Sequence, residues 1–253
     1  MKQCWAQNIG GCGQISKEHI ISDSILLEMV TVQGFPWCKD KPMRIPSANF
    51  KSKILCDEHN NQLSPADNEI KNFVFTLKSY FENSITYDTN PARFTRIPIR
   101  YTINGSLLEQ WFCKTLVNVA TLNSSDAEIP FDCIIPFLFQ RKKFSKPFGL
   151  NFAVKVGQSI NSRDDSIAIT PIFHIEDSRQ RLLIGGFFVF RSFHFVVLFP
   201  TRINPIMDNT FTLSEDNKAW EGMQLNWHNK EINETKRGRS MNILFQVVTI
   251  TWE

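Results

Sequence analysis

The 253-residue chain lacks a strong excess of either charge, its formal net charge being only +3. A global field that weak draws in no polyanion by itself, so any attraction for nucleic acid has to come from local patches. An apolar run is missing from the opening M-K-Q-C-W-A-Q-N. That argues against a secretory leader or a transmembrane anchor, and the expected location is cytoplasmic, with no membrane partner. In a reducing compartment the six cysteines are not expected to build a disulfide framework. Internal repeats and low-complexity segments are also absent, which removes repeat architectures from consideration.

What remains is a chain with 42% hydrophobic residues, enough for a buried core in one large domain or two modest ones. Its most informative stretch runs from Cys4 to Asp67. Four soft ligands stand there in two pairs, Cys4/Cys12 and Cys56/His59, and thiolates with an imidazole in that arrangement suit a closed, structural tetrahedral zinc site. The competing reading is a chance pairing, since C-x₇-C is looser than a C-x₂-C knuckle. Between the pairs lies Glu18-His19, and Asn60 follows the second pair. A carboxylate, an amide and a histidine suit a hard, oxygen-preferring cation with a general base. The bland alternative makes His19 a hydrogen-bonded surface histidine. Cys38, Cys113 and Cys133 are left over as ordinary buried thiols.

Along the chain, a glycine-rich knuckle around Cys12 is expected to lead into a strand from Gln14 to Ile21. Ser22 then reads as the N-cap of a helix through Val30, with Ile25, Leu26 and Met29 on one face. Prolines and Gly34 mark 31–46 as a loop anchored by Trp37, and Phe50 to Leu55 reads as a strand. In L-S-P-A-D the serine at 64, proline at 65 and acid at 67 form a capping box opening a helix to Glu82. Capping is the favoured role of Asp67, catalysis the other. A further amphipathic helix is expected over 106–121. From Phe131 onward the segments F-D-C-I-I-P-F-L-F, N-F-A-V-K-V, I-A-I-T-P-I-F-H-I, L-L-I-G-G-F-F-V-F, F-H-F-V-V-L-F and I-L-F-Q-V-V-T-I-T-W read as strands of an antiparallel sheet. His174, His194 and His228 scatter through this half as core or surface residues. The expected fold is α+β: a zinc-braced lobe over 1–83, then a helix plus antiparallel sheet over 84–253.

The run I-S-K-E-H-I-I-S followed by L-C-D-E-H-N-N-Q-L-S-P-A-D resembles the HNH nucleases with the ββα-metal fold, in their zinc-bearing bacterial form. The resemblance covers about residues 4–82. It implies that Glu18 and Asn60 hold a catalytic magnesium or manganese, that His19 is the general base, and that Asn49 is the middle residue of the family's name. The pattern departs from the family at Glu18, where aspartate is commoner, and at His59, where a second cysteine is. The implied activity is metal-dependent hydrolysis of phosphodiester bonds, in DNA before RNA, in a setting of defence against phage and with a possible companion protein in control. The alternative is a catalytically inactive module that binds nucleic acid or protein. Phosphate contacts would fall to Lys17 and Lys53 beside the motif strands, to Arg141, Lys142 and Lys143 with Lys146 and Phe144 nearby, and to Lys236, Arg237 and Arg239. Solvated loops are the alternative for the last two groups.

Overall fold

A computed structural model describes residues 4–89, 97–123, 127–155, 167–177, 180–190, 193–202, 223–228, 231–237 and 242–252. Mixed α and β elements succeed one another in the order β1 (Glu18–His19), β2 (Met29–Val32), β3 (Met43–Pro46), β4 (Lys51–Ser52), α1 (Asp57–Gln62) and α2 (Ser64–Thr89). Then come β5 (Ile99–Asn104), α3 (Gly105–Asn123), β6 (Ala127–Glu128), α4 (Phe131–Phe139), β7 (Gly149–Lys155), β8 (Ile167–Asp177), β9 (Gln180–Phe190), β10 (Phe193–Leu198), β11 (Met223–Trp227), β12 (Glu231–Arg237) and β13 (Asn242–Thr251). No helix among the described residues is long and apolar enough to cross a membrane.

The main sheet has the order β11-β7-β10-β9 with β8 on the other side of β9, and these neighbours are all antiparallel. A second sheet sets β13 between antiparallel β12 and parallel β5. Helix α3 is the spine between them. Leu108, Trp111, Phe112, Leu116, Val117 and Ala120 are buried on it, and Phe112 meets Phe188 edge-on with ring centroids 4.5 Å apart. Asn104 is the N-cap of this helix: its Oδ1 accepts from the Leu107 amide at 3.0 Å, satisfying one of the orphan donors of the first turn. The helix expected over 106–121 is thus present. One apolar cluster joins Cys4, Trp5, Leu55 and Leu63 to Phe188, Phe195 and Val248. The seam expected at 83/84 falls inside α2, which continues to Thr89.

Several local expectations give way. No helix forms over 22–30: a single 3₁₀ turn, Asp23–Ile25, is followed by β2, which pairs with β3 to make a hairpin of the supposed loop. Ser22 has no capping bond there because its hydroxyl is used elsewhere, accepting from Trp111 Nε1 at 2.7 Å and donating to Asp67. Val30, Thr31 and Val32 are β-branched, which favours the extended chain that replaces the helix. Trp37 is not the anchor. It is 45% exposed and stacks on Phe35, which is the buried member of the pair. Residues 131–139 form α4 rather than a strand. Nine residues with Asp132 as the one charged side chain offer too little polar surface to reveal the period, and Ile134, Ile135, Phe137 and Leu138 are buried in the helical form.

The capping box at Ser64 is likewise not formed. Ser64 Oγ donates to the Asn61 carbonyl instead, because α1 and α2 are separated only by Leu63, whose backbone is itself helical, leaving little exposed N-terminus to cap. Asp67 is released for other work. Its carboxylate takes a 2.7 Å ion pair from Lys114 of α3, a lysine buried to 5% exposure. Removing one partner strands the other charge, so Lys114→Ala should cost about 3 kcal/mol, low in the range for buried pairs because the Asp67 side chain keeps 25% exposure. The double variant Asp67→Asn/Lys114→Met should recover much of that loss in urea denaturation. Equal stability of Lys114→Ala and the parent would show that the pair contributes nothing.

Candidate metal centre and the adjacent strand

The two ligand pairs meet. Cys4 begins the described chain and passes into a turn that closes with Gln7–Ile9, and Gly10 and Gly11 then take φ of 76° and 68°, a region open to glycine but costly for other residues. The loop they make brings Cys12 back. Cys56 is the N-cap of α1, its sulfur accepting from the His59 amide at 3.5 Å, so His59 lies one turn along with its ring over the same spot. His59 Nδ1 lies 3.4 Å from Cys4 Sγ, 3.6 Å from Cys12 Sγ and 3.1 Å from Cys56 Sγ. All four ligand atoms are within 4.8 Å of one another. A tetrahedral zinc with bonds of about 2.3 Å to sulfur and 2.0 Å to nitrogen spaces those atoms about 3.5 Å apart. The cage fits. Among the described residues this is the only group of three or more histidine, cysteine or acidic side chains so arranged.

Electrostatics agree with a cation-dependent site. Burial pushes the Cys4 thiol up to about 12, and it raises Cys12 as well. Burial also raises Cys56, but hydrogen bonds to its sulfur from the His59 and Gly13 backbone outweigh that, leaving its pKa below the ordinary thiol value. Cys56 is therefore the ligand most ready to ionise, and a divalent cation is what makes thiolates tolerable at the other two. The centre leans on the rest of the fold: His59 meets Phe139 of α4 edge-on at 5.2 Å, and Trp5 Nε1 donates to Asn118 of α3 at 3.1 Å.

The Glu18-His19 strand runs antiparallel to the approach to Cys56. Glu18 pairs with Ser52 and His19 with Lys51, and the pairing is extended by a bridge from Ile15 to Cys56 and by the Asp57 amide donating to Gln14 O at 2.9 Å. The strand segments expected over 14–21 and 50–55 thus lie side by side, although the regular ladder is only β1 and β4. Alternation along the strand gives the two residues different neighbours. Ser16 Oγ donates to Glu18, whereas His19 Nε2 lies 3.3 Å from Asp23 Oδ1 but without hydrogen-bond alignment. Burial, and after it the nearby Lys51 charge, lower the His19 pKa, while Asp23, Glu18 and Asp67 pull the other way. The balance favours the neutral imidazole.

Asn60 sits half-buried on α1, next to His59, its amide donating to Cys56 O at 2.9 Å. Asn49 closes the 3₁₀ turn Ser47–Asn49 ahead of β4. It lines a cavity of about 340 Å³ together with Lys17, Ala48, Lys51, Ser52 and Lys53. Lys51 was not anticipated, although K-S-K on a strand puts residues 51 and 53 on one side. Asp67 was expected as a cap first and as a catalytic residue second, because the S-P-A-D pattern concealed its pairing with Lys114. Arg141, Lys142 and Lys143 are exposed and border a different cavity. Phe144 is not available to stack on a base there, being buried and packed on Phe137 at 4.2 Å. Lys236 and Arg237 belong to β12, and Arg239 lies outside the described residues.

No protein-family model, no curated protein and no solved structure matches this chain.

Proposed function

We propose that the protein is a zinc-braced, metal-dependent endonuclease of the HNH type, acting on nucleic acid and on DNA before RNA. The observation that carries this reading is the shared placement of a partly buried histidine and a lysine-lined cavity on one two-stranded ladder held next to the Cys₃His cage. In this scheme the ladder and α1 are the two strands and helix of the ββα-metal unit. Structural zinc fixes the start of α1 and so the position of Asn60. Phosphodiester hydrolysis needs a water deprotonated near neutral pH, and His19 is the group to do it. His19 takes the proton from water, the water oxygen forms a new bond to phosphorus, and the bond from phosphorus to the leaving ribose oxygen breaks. A magnesium or manganese held through Glu18 and Asn60 would neutralise charge on the phosphate and leaving oxygen while keeping most of its sphere for water and substrate. By resemblance alone, defence against invading DNA is the proposed setting.

Lys17, Lys51 and Lys53 then hold the backbone that flanks the scissile phosphate. Replacing all three by alanine should flatten the dependence of log K on log salt by about 0.9 per lost phosphate contact on duplex DNA. Fold and zinc content should be retained, since Lys51 and Lys53 are exposed. Fluorescence anisotropy across a salt series reads the slope directly. An unchanged slope would remove the cavity from the substrate path and favour the inactive-module reading.

A further inference from the structure

A second cavity, of about 510 Å³, opens at the N-terminal end of α3 and is lined by none of the four metal-centre residues. Its volume is that of a small-molecule site, which typically spans about 300–1,000 Å³. Leu107, Phe137, Phe144 and Trp252 give it apolar walls, and Glu109, Gln110 and His228 give it polar groups. Three cations in succession, Arg141, Lys142 and Lys143, stand exposed at its border.

The polar floor is built into the fold. Glu109, 2% exposed, accepts from the Leu150 amide, and its Oε1 lies 3.3 Å from His228 Nε2. Position 149 takes φ of 85° and a Cβ there would strike Glu109 Oε1, so glycine is needed to let the carboxylate in. His228 in turn lies flat on Trp252, 4.2 Å between centroids and 12° from parallel. Arg141 and His228 are the two non-glycine residues with positive φ among those described, at 58° and 45°, and both line this cavity. Left-handed backbone at such residues costs on the order of 1–3 kcal/mol, and it gathers where ligands are held. Nothing in the nuclease scheme uses Glu109, His228 or Trp252.

We infer that this cavity binds a nucleoside phosphate, with the base between the apolar walls and the phosphate at Arg141, Lys142 and Lys143. Charge complementarity selects an anion at the border, where guanidinium and ammonium groups are the usual phosphate partners. A buried carboxylate beside an amide side chain selects a body that offers N–H donors to Glu109 and takes or gives hydrogen bonds at Gln110. A nucleobase meets both demands, and its faces are apolar like the walls. The nucleoside phosphate can be free or can be the terminal residue of a nucleic acid strand.

Isothermal titration of the full chain with AMP, ATP, inorganic phosphate and a short 5′-phosphorylated single strand separates the sources. Saturable binding of AMP or ATP, at least about tenfold tighter than inorganic phosphate, supports a free nucleotide. Binding of the strand alone, lost when its terminal phosphate is removed, supports a strand end. The variant Arg141→Ala/Lys142→Ala/Lys143→Ala should weaken either by about tenfold or more, and its exposed positions leave the fold intact. Leu107→Trp should block binding by filling the apolar side while preserving the Arg141–Lys143 border. No binding of any nucleotide or strand, binding of inorganic phosphate as tight as that of AMP, or parental affinity in both variants would overturn the assignment. Because none of these measurements requires cleavage, their failure and failure of the nuclease reading are distinguishable.

Discussion

Cys56→Ser should give a protein that no longer holds zinc and that melts well below the parent. Cys56 is fully buried, caps α1 through the His59 amide, and lies nearest of the three sulfurs to His59 Nδ1. Serine can still cap the helix, so what the substitution takes away is the metal ligand. Structural zinc contributes an apparent ~10–16 kcal/mol in small metallo-domains, where almost no other core exists. Here the centre is attached to a larger apolar core, so the loss is smaller, and a fall in Tm of roughly 10 °C is the expected scale. Cys12→Ser should be milder than Cys4→Ser, because Cys12 is exposed on its glycine loop whereas Cys4 is buried. Chelation should act like the Cys56 variant. Zinc affinity should also fall as pH falls, since the thiols must release protons to bind and burial holds the Cys4 proton tightly. The parent should carry about one zinc per chain by elemental analysis. A zinc-free parent, with Cys56→Ser as stable as it, would end the structural-zinc reading.

How far the sequence could be read depended on whether a residue's partner was local. Cys4, Cys12, Cys56 and His59 were legible because ligand chemistry is strict: soft donors in two distant pairs have few other uses, and the folded chain does gather them. Helix α3 was legible from its apolar stripe, and the strands from Gly149 onward from their phenylalanine and β-branched content. Ser22 and Asp67 were misread for one shared reason. Each stands in a pattern that means a helix cap when only neighbours are considered, and each is instead committed to α3, through Trp111 and Lys114. A bond spanning 47 or 89 residues leaves no trace in local spacing. The α4 segment failed differently, since a short run with a single charged residue, Asp132, carries too little polar surface to show a period. Arg141–Lys143 were correctly picked out as a charged group, but the Glu109–His228 floor they border joins residues 119 apart, and that floor is what changes a basic loop into the edge of a cavity.

His19→Ala should lower metal-dependent cleavage by about 10²–10⁴-fold, the usual contribution of a general base, while zinc content and nucleic-acid affinity stay at the parental level. The selectivity follows from position. His19 is on the ladder beside the lysine-lined cavity and is not part of the Cys₃His cage, so its removal takes away neither phosphate contacts nor zinc ligands. His59 cannot substitute, because its Nδ1 is enclosed by three sulfurs. Glu18→Ala and Asn60→Ala should differ in kind: if they hold the cation, more magnesium or manganese will be needed to reach half-maximal rate, whereas His19→Ala will show the parental metal requirement at a much lower ceiling. Plasmid nicking measured across a metal titration separates the two behaviours in one assay, with each protein's zinc determined alongside. Parental cleavage by His19→Ala would remove it as the base. No cleavage by the parent with either metal, with zinc present and nucleic acid bound, would make the ladder and its cage a binding module whose histidine has a structural role alone.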